Sequence, residues 1–249
     1  HMNSDHIKLH IFFRDHPRCA IAFSGGADST FLLHAALDAG ADVRAYYVKS
    51  AFQPAWEQED AVRFAAAMGA KLTVLDAAVL SYPAIAQNDE QRCYHCKRTI
   101  LTRIIDQATA DGYPVLLDGT NASDEEGDRP GMRALGELGV LSPLRLSGLT
   151  KADIRRLSRQ QGLPSADKPA YACLATRIPT GRKITQDLLW RVEEAENFLF
   201  ASGFMDFRLR VRGENALLQL RACQHDAFYQ RREELVAKLQ NWFRDVSVD

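Results

Sequence analysis

The segment RCAIAFS, Arg18 to Ser24, is a short apolar run that stops at Gly25-Gly26, and DSTFLLHAALDAG follows almost at once. An apolar run of this length ending in paired glycines reads as a buried strand feeding a tight turn. The next segment reads as a helix from about Ser29, stopped at Gly40. The same alternation then repeats. DVRAYYV is a second strand, WEQEDAVRFAAAMG a helix stopped by Gly69, and KLTVLDA a third strand. KRTILTRIIDQATADG is a helix, PVLLDGTN a fourth strand with a polar end, and GVLSPL a fifth strand. TKADIRRLSRQQG is a helix opened by a Thr150/Asp153 capping box and closed at Gly162. Strands that alternate with helices in this way imply an α/β fold, a doubly wound parallel sheet with helices on both faces.

The pattern changes after Leu163. LPSADKPAYACLATRIPTGRKI is a loop punctuated by proline and glycine, and a helix, TQDLLWRVEEAENFLFASG, follows it. FRLRVRG and NALLQLRA then read as a hairpin, HDAFYQRREELVAKLQNWF as a last helix, and DVSVD as a tail strand. The expected organisation is an α/β domain over residues 1–182 and a smaller C-terminal α+β domain over residues 183–249.

The 249 residues are 46% hydrophobic and 25% charged, a profile that suits a soluble globular protein with an ample core. The formal net charge of −1 argues against a nucleic-acid partner, which asks for a basic excess. No apolar run reaches the roughly 20 residues of a membrane span. HMNSDHIKLH lacks a signal peptide's apolar core, and His1-Met2 reads as a cloning scar. The expectation is a cytoplasmic protein whose five cysteines are reduced.

Between the first strand and the first helix lies SGGADS, Ser24 to Ser29. Glycines let a backbone approach an anion closely, and N–H groups at a helix start point toward it. Ser24 and Ser29 can donate to phosphate oxygens, and Asp28 can hold Mg²⁺. The segment is neither GxxxxGK[ST] nor GxGxxG. It resembles the PP-loop of the ATP pyrophosphatase (HUP-like) superfamily, whose members cleave ATP between its α- and β-phosphates.

Further segments narrow the resemblance: LLDGTNASDE, DRPGMRAL, SPL at Ser142, LTKADIRRL, DKPAYACLATRIPTG, RVEEAE and RVR, in that order. Together they resemble the LarE family of ATP-dependent sulfur transferases, over roughly Cys19 to Arg212. The resemblance implies a pyridinium carboxylate mononucleotide as substrate, the precursor of the nickel-pincer nucleotide used by lactate racemase. The carboxylate would be adenylated and its oxygen replaced by sulfur, giving a thiocarboxylate. Assembly as a homo-oligomer such as a hexamer is also implied.

Asp118, Gly119, Thr120 and Asn121 stand at a strand's C-terminal end, where ligand contacts gather in such folds. Asp124 and Asp128 are candidates for Mg²⁺ or the ribose. Arg129, Lys151 and Arg177 are candidate phosphate clamps, and Ser50, beside Lys49, is a candidate adenine contact. Arg210 and Arg212 alternate on one strand, so both side chains leave the same face. The resemblance makes their anion the substrate phosphate. Glu193, Glu194 and Glu196 read as a solvated helix face. Where the family carries a glutamate after RVR, this chain has LLQLR with Arg221, so that second metal site is not carried over.

Cys19 and Cys223 read as small core residues. Cys93 and Cys96, in RCYHCK just before or inside the start of a helix, are too few to hold a metal alone. Cys173 lies in the Pro-rich loop near Lys168 and Arg177, whose charges favour its thiolate. By resemblance this position has two chemistries. Either Cys173 surrenders its own sulfur, or Cys93, Cys96 and Cys173 hold a [4Fe–4S] cluster that carries replaceable sulfide from an external source. Zinc held by three cysteines with His95 or water is the rival metal. A tRNA thiolase and an amide-forming ligase remain as other PP-loop activities.

Overall fold

The computed structural model describes residues 4–124 and 129–249, Arg129 by its backbone alone. Asp128 and the Arg129 side chain, both proposed as ligand contacts, lie outside the described residues. The chain forms two compact units: His1–Val79 with Cys93–Tyr171, and Leu80–Arg92 with Ala172–Asp249.

The first unit is built on four parallel strands, β1 (Arg18–Ala22), β2 (Asp42–Lys49), β3 (Lys71–Asp76) and β4 (Leu116–Leu117), in the order β3-β2-β1-β4. Successive side chains of a strand face opposite ways, and both faces are covered here. Cys19, Ile21, Val43, Ala45 and Tyr47 pack on one side against α1 (Ser4–Asp15), α2 (Ala27–Asp38), α3 (Ala55–Ala67) and α8 (Lys151–Gln160). Ala20, Tyr46 and Val48 pack on the other, against α5 (Arg92–Ala110) and α6 (Arg129–Leu138). The doubly wound parallel α/β sheet read from the sequence is thus the fold. Thr150 and Asp153 form the capping box at the start of α8.

Three local readings are corrected. GVLSPL makes one parallel bridge, Leu141 with Leu117, not a strand. Pro143, which has no N–H for a ladder, instead opens the short helix α7 (Pro143–Leu146). The first helix starts at Ala27, two residues early, so Asp28 and Ser29 lie in its first turn. Helix α1 went unread because its apolar residues carry no clean helical period; it buries Leu9 and Phe13.

In the second unit, α4 (Pro83–Ala86) is followed by Asn88, whose φ is +56° and whose side chain is fully buried. Its Nδ2 donates to the carbonyls of Ile178 (3.3 Å), Pro179 (2.9 Å) and Arg182 (3.1 Å). These bonds attach Leu80–Arg92 to the loop after Cys173. Helix α9 (Gln186–Ala201) starts at its Thr185 cap. The hairpin of β5 (Arg208–Arg212) and β6 (Asn215–Gln219) forms as read, and β7 (Val246–Val248) pairs parallel to β6. The last helix is two, α10 (Ala222–Gln230) and α11 (Arg232–Leu239), broken at Arg231. No described helix is long and apolar enough to cross a membrane.

Candidate active site

From β1 the chain steps outward through β2 to β3, then returns on the other side of β1 as β4. The switch in direction therefore falls between β1 and β4, the place where open α/β sheets bind ligands beyond their strand ends. The loops there are Ser24–Ser29 after β1 and Asp118–Asn121 after β4. Gly119 brings them together: a Cβ on it would lie 2.9 Å from the Ser29 nitrogen and 3.1 Å from its Cα. Gly119→Ala is expected to force the loops apart, at a cost of about 1–3 kcal/mol in stability. Chemical denaturation would read that cost.

Gly26 caps α2 without a side-chain bond, which leaves the first-turn N–H groups to a ligand. The Ser24 and Ser29 hydroxyls stand 3.1 Å apart, the Ser24 N–H donates to Ser29 Oγ (3.1 Å), and the Gly26 N–H donates to Ser24 Oγ (3.2 Å). The loop is thus a ring of donors closed by hydroxyls, at the positive end of a helix.

Asp28 Oδ2 accepts from Asn121 Nδ2 at 3.2 Å, and Asn121 is fully buried. Asp28 Oδ1 is buried with no partner among the described residues. Burial raises the Asp28 carboxyl above its ordinary range; the Asn121 bond opposes the rise, Asp124 adds to it, and Lys151 and Arg155 oppose it. A buried carboxylate oxygen without a donor is costly unless a cation or donor meets it, so the residues fit Mg²⁺. A raised acid pKa favours the protonated folded state, whose added stability fades as pH rises through the folded pKa. Asp28→Asn is therefore expected to raise the melting midpoint of the ligand-free protein at neutral pH. A melting series across pH checks this.

Asp118 is a positioning carboxylate, not an open ligand: it accepts from Ser142 Oγ (2.6 Å) and Thr120 Oγ1 (2.7 Å). Asp124 accepts the Asn121 N–H (2.8 Å), and Ser123 Oγ accepts the Lys151 N–H (3.0 Å), which ties the start of α8 to the same turn. Ser50 stands in the turn after β2, bonded to Gln53 Oε1 (2.5 Å) and the Phe52 N–H (3.1 Å). The structure thus gathers Ser24–Ser29, Gly119–Asn121 and Lys151 in the first unit. It adds Arg155, which the sequence reading passed over because nothing in an exposed-looking helix marked it.

In the second unit Arg177 is corrected from phosphate clamp to buried ion-pair partner. It is 2% exposed, and its Nε and Nη2 both lie 3.1 Å from Glu196 Oε1. Glu196, read as solvated, is 1% exposed. Arg177 Nη1 also donates to the Ala172 carbonyl (3.2 Å) and Thr176 Oγ1 (2.8 Å), while Thr176 Oγ1 donates to the Cys173 carbonyl (2.8 Å). The pair therefore braces the turn that presents Cys173, which is half-exposed. Arg208, Arg210 and Arg212 share one face of β5, and Arg210 Nε meets Gln219 Oε1 at 2.5 Å. Burial holds the Arg210 guanidinium below its ordinary range, and repulsion from Arg208, Arg177 and Arg212 adds to the effect. A cationic face under such repulsion favours an anionic ligand.

Cys93 is exposed and Cys96 half-exposed, three residues apart in the first turn of α5 and so neighbours on one helix face. Cys19 is buried and its thiol pushed up to about 12, mainly by desolvation. Cys223 is corrected from core residue to an exposed position on α10. Within either unit alone, no three described His, Cys, Asp or Glu side chains gather as a metal site.

No family model matches the chain. It is 36% identical over 245 residues to an uncharacterized protein of Synechocystis sp. (97% of this chain, 91% of the relative). It is 28% identical over 231 residues to an uncharacterized protein of Methanocaldococcus jannaschii (92% and 88%). To the pyridinium-3,5-bisthiocarboxylic acid mononucleotide synthase of Lactiplantibacillus plantarum it is 33% identical over 241 residues, 95% of this chain and 87% of that enzyme. An identity that runs through both units, and not the phosphate loop alone, means that this chain belongs to the LarE family.

Proposed function

We propose that this chain is an AMP-forming sulfur transferase that converts the carboxylate of a pyridinium carboxylate mononucleotide into a thiocarboxylate, in nickel-pincer nucleotide biosynthesis. The observation that carries the reading is the donor ring of Ser24–Ser29 beside the buried Asp28 Oδ1, which has no partner among the described residues, at the switch point of the sheet. The named activity of the Lactiplantibacillus plantarum relative supports the choice of substrate.

Gly25, Gly26 and the Ser24 and Ser29 hydroxyls would hold the β- and γ-phosphates, and Asp28 would hold Mg²⁺. Ser50 would meet the adenine. Thr120, Asn121, Lys151 and Arg129 would orient the α-phosphate. A substrate carboxylate oxygen attacks that phosphorus, pyrophosphate leaves, and an acyl-adenylate forms. Charge developing on the pyrophosphate is met by fixed N–H groups and the α2 dipole, which need no reorganisation. Arg210 and Arg212 would hold the substrate's own phosphate. A sulfur nucleophile then attacks the acyl carbon and AMP leaves.

Cys93, Cys96 and Cys173 would hold a [4Fe–4S] cluster, which when bound supplies an iron site open to exogenous sulfide. The second reading needs no cluster. The Cys173 thiolate attacks the acyl carbon and AMP leaves, a base removes the Cys173 α-proton, and the Cβ–S bond breaks, leaving thiocarboxylate and dehydroalanine. Its half-exposed, braced position favours keeping that reading. The working unit is proposed to be a homo-oligomer, such as a hexamer.

The test is anaerobic incubation of the full chain with MgATP, sulfide and the mononucleotide. AMP, pyrophosphate and thiocarboxylate should appear together, and only with the mononucleotide present. AMP release that depends instead on tRNA or ammonia would overturn the reading.

A further inference from the structure

We propose that Lys168 is a positioning residue that holds the Gly25–Gly26 peptide in the orientation that receives pyrophosphate. The proposal rests on the reading of Ser24–Ser29 as the ATP loop. Lys168 Nζ donates to the Gly25 carbonyl at 3.0 Å and lies 2.9 Å from Asp60 Oδ2 of α3. Its side chain is only 14% exposed, with the ammonium 5.5 Å from the Trp56 ring centre and 5.4 Å from that of Phe64.

The lysine is itself fixed. Its N–H donates to the Ser165 carbonyl (3.1 Å). Its own carbonyl accepts from Arg155 Nη2 (2.9 Å), while Arg155 Nη1 holds the Ala166 carbonyl (2.8 Å). Tyr171, three residues on, packs edge-on against Trp56 with ring centres 4.8 Å apart. The segment from Ala166 to Tyr171 is thus docked on α3 and α8, and the ammonium reaches from it to the phosphate loop.

The Gly25–Gly26 peptide needs such an anchor. Neither flanking residue has a Cβ, so a flip meets little steric resistance. In a planar trans peptide the carbonyl and the N–H point opposite ways. Pinning the Gly25 oxygen to Lys168 therefore aims the Gly26 N–H away from α3, at Ser24 Oγ and the exposed side of the loop. Gly25 also rests on α3, with φ +75° and the Ala61 backbone 3.0 Å from where a Cβ would sit. Asp60 holds the Lys168 ammonium through Oδ2 while its Oδ1 takes Arg63 (2.9 Å), so the ammonium is kept at the Gly25 carbonyl and acts on phosphate through Gly25.

The test is calorimetric titration of the full chain with inorganic pyrophosphate and with MgATP, beside melting curves, for wild type, Lys168→Met and Asp60→Asn. Lys168→Met is expected to weaken pyrophosphate binding by about tenfold or more, the scale of one charge-assisted bond. It should raise KM for ATP in step while kcat at saturating ATP changes by less than about threefold. Asp60→Asn should weaken binding in the same direction by less, since the ammonium keeps Gly25 but loses its second anchor. Unchanged pyrophosphate affinity in Lys168→Met alongside a lowered melting point would overturn the proposal, leaving a structural ion pair. Tighter binding in Asp60→Asn would also overturn it, because a freed ammonium would then be gripping phosphate directly. If Lys168→Met does not fold, the sign of the Asp60→Asn change decides alone. Failure of the wild type to bind either probe would sink the reading of the ATP loop itself.

Discussion

Cys173→Ala is expected to abolish thiocarboxylate formation, a loss on the order of a thousandfold or more, while pyrophosphate and the acyl-adenylate still form in a first turnover. The phosphate loop, Asp28 and the Asn121 turn lie in the first unit and do not depend on this thiol. The same measurement on Cys93→Ala and Cys96→Ala separates the two sulfur chemistries. If the three cysteines act together, each variant loses transfer and each loses iron and sulfide after anaerobic reconstitution. If Cys173 donates its own sulfur, the α5 variants transfer normally. Wild-type protein then shows a mass loss of one H₂S at Cys173 after a single turnover.

The largest stability effect is expected at Arg177. Replacing it with Met leaves the Glu196 carboxylate buried without its ion-pair partner, and breaking such a pair costs about 3–5 kcal/mol. The melting midpoint should fall by on the order of 10 °C. Arg177→Met with Glu196→Leu should recover most of that loss, because removing both charges removes the uncompensated one. The double variant then isolates the second role of Arg177. The Ala172 carbonyl and Thr176 hydroxyl lose their guanidinium, so alkylation of Cys173 should change even where stability is restored. Alkylation unchanged from wild type would mean that the turn holds its shape without Arg177.

Arg177 also shows how side chains of one type can separate in the fold. From the sequence it was one more cation beside a reactive loop, like Lys151. Nothing local distinguishes them, because burial depends on what α9 places opposite. Glu196 sits amid a run of acidic residues that reads as solvated, and it is buried because Ala195 and Leu199 turn that side of α9 inward. Lys168 was read as a charge near Cys173, yet its partners Asp60 and Gly25 lie more than a hundred residues earlier in the chain. Cys223 followed an apolar strand, and its exposure follows from the helix that begins at Ala222.

Local chemistry did settle the skeleton. Apolar runs became β1 to β3 and the segments stopped at glycines became their helices, the Thr150/Asp153 box became the start of α8, and Gly25-Gly26 became the turn into α2. Each of these rests on interactions within a few residues, so the sequence alone determined them. The tertiary structure alone decided that β4 returns beside β1 and that Gly119 touches the Ser29 backbone. It likewise decided that one buried Asp28 oxygen has no partner among the described residues, and which arginine is locked away. Those outcomes depend on non-local packing, where partners distant in the chain set burial, and burial sets charge.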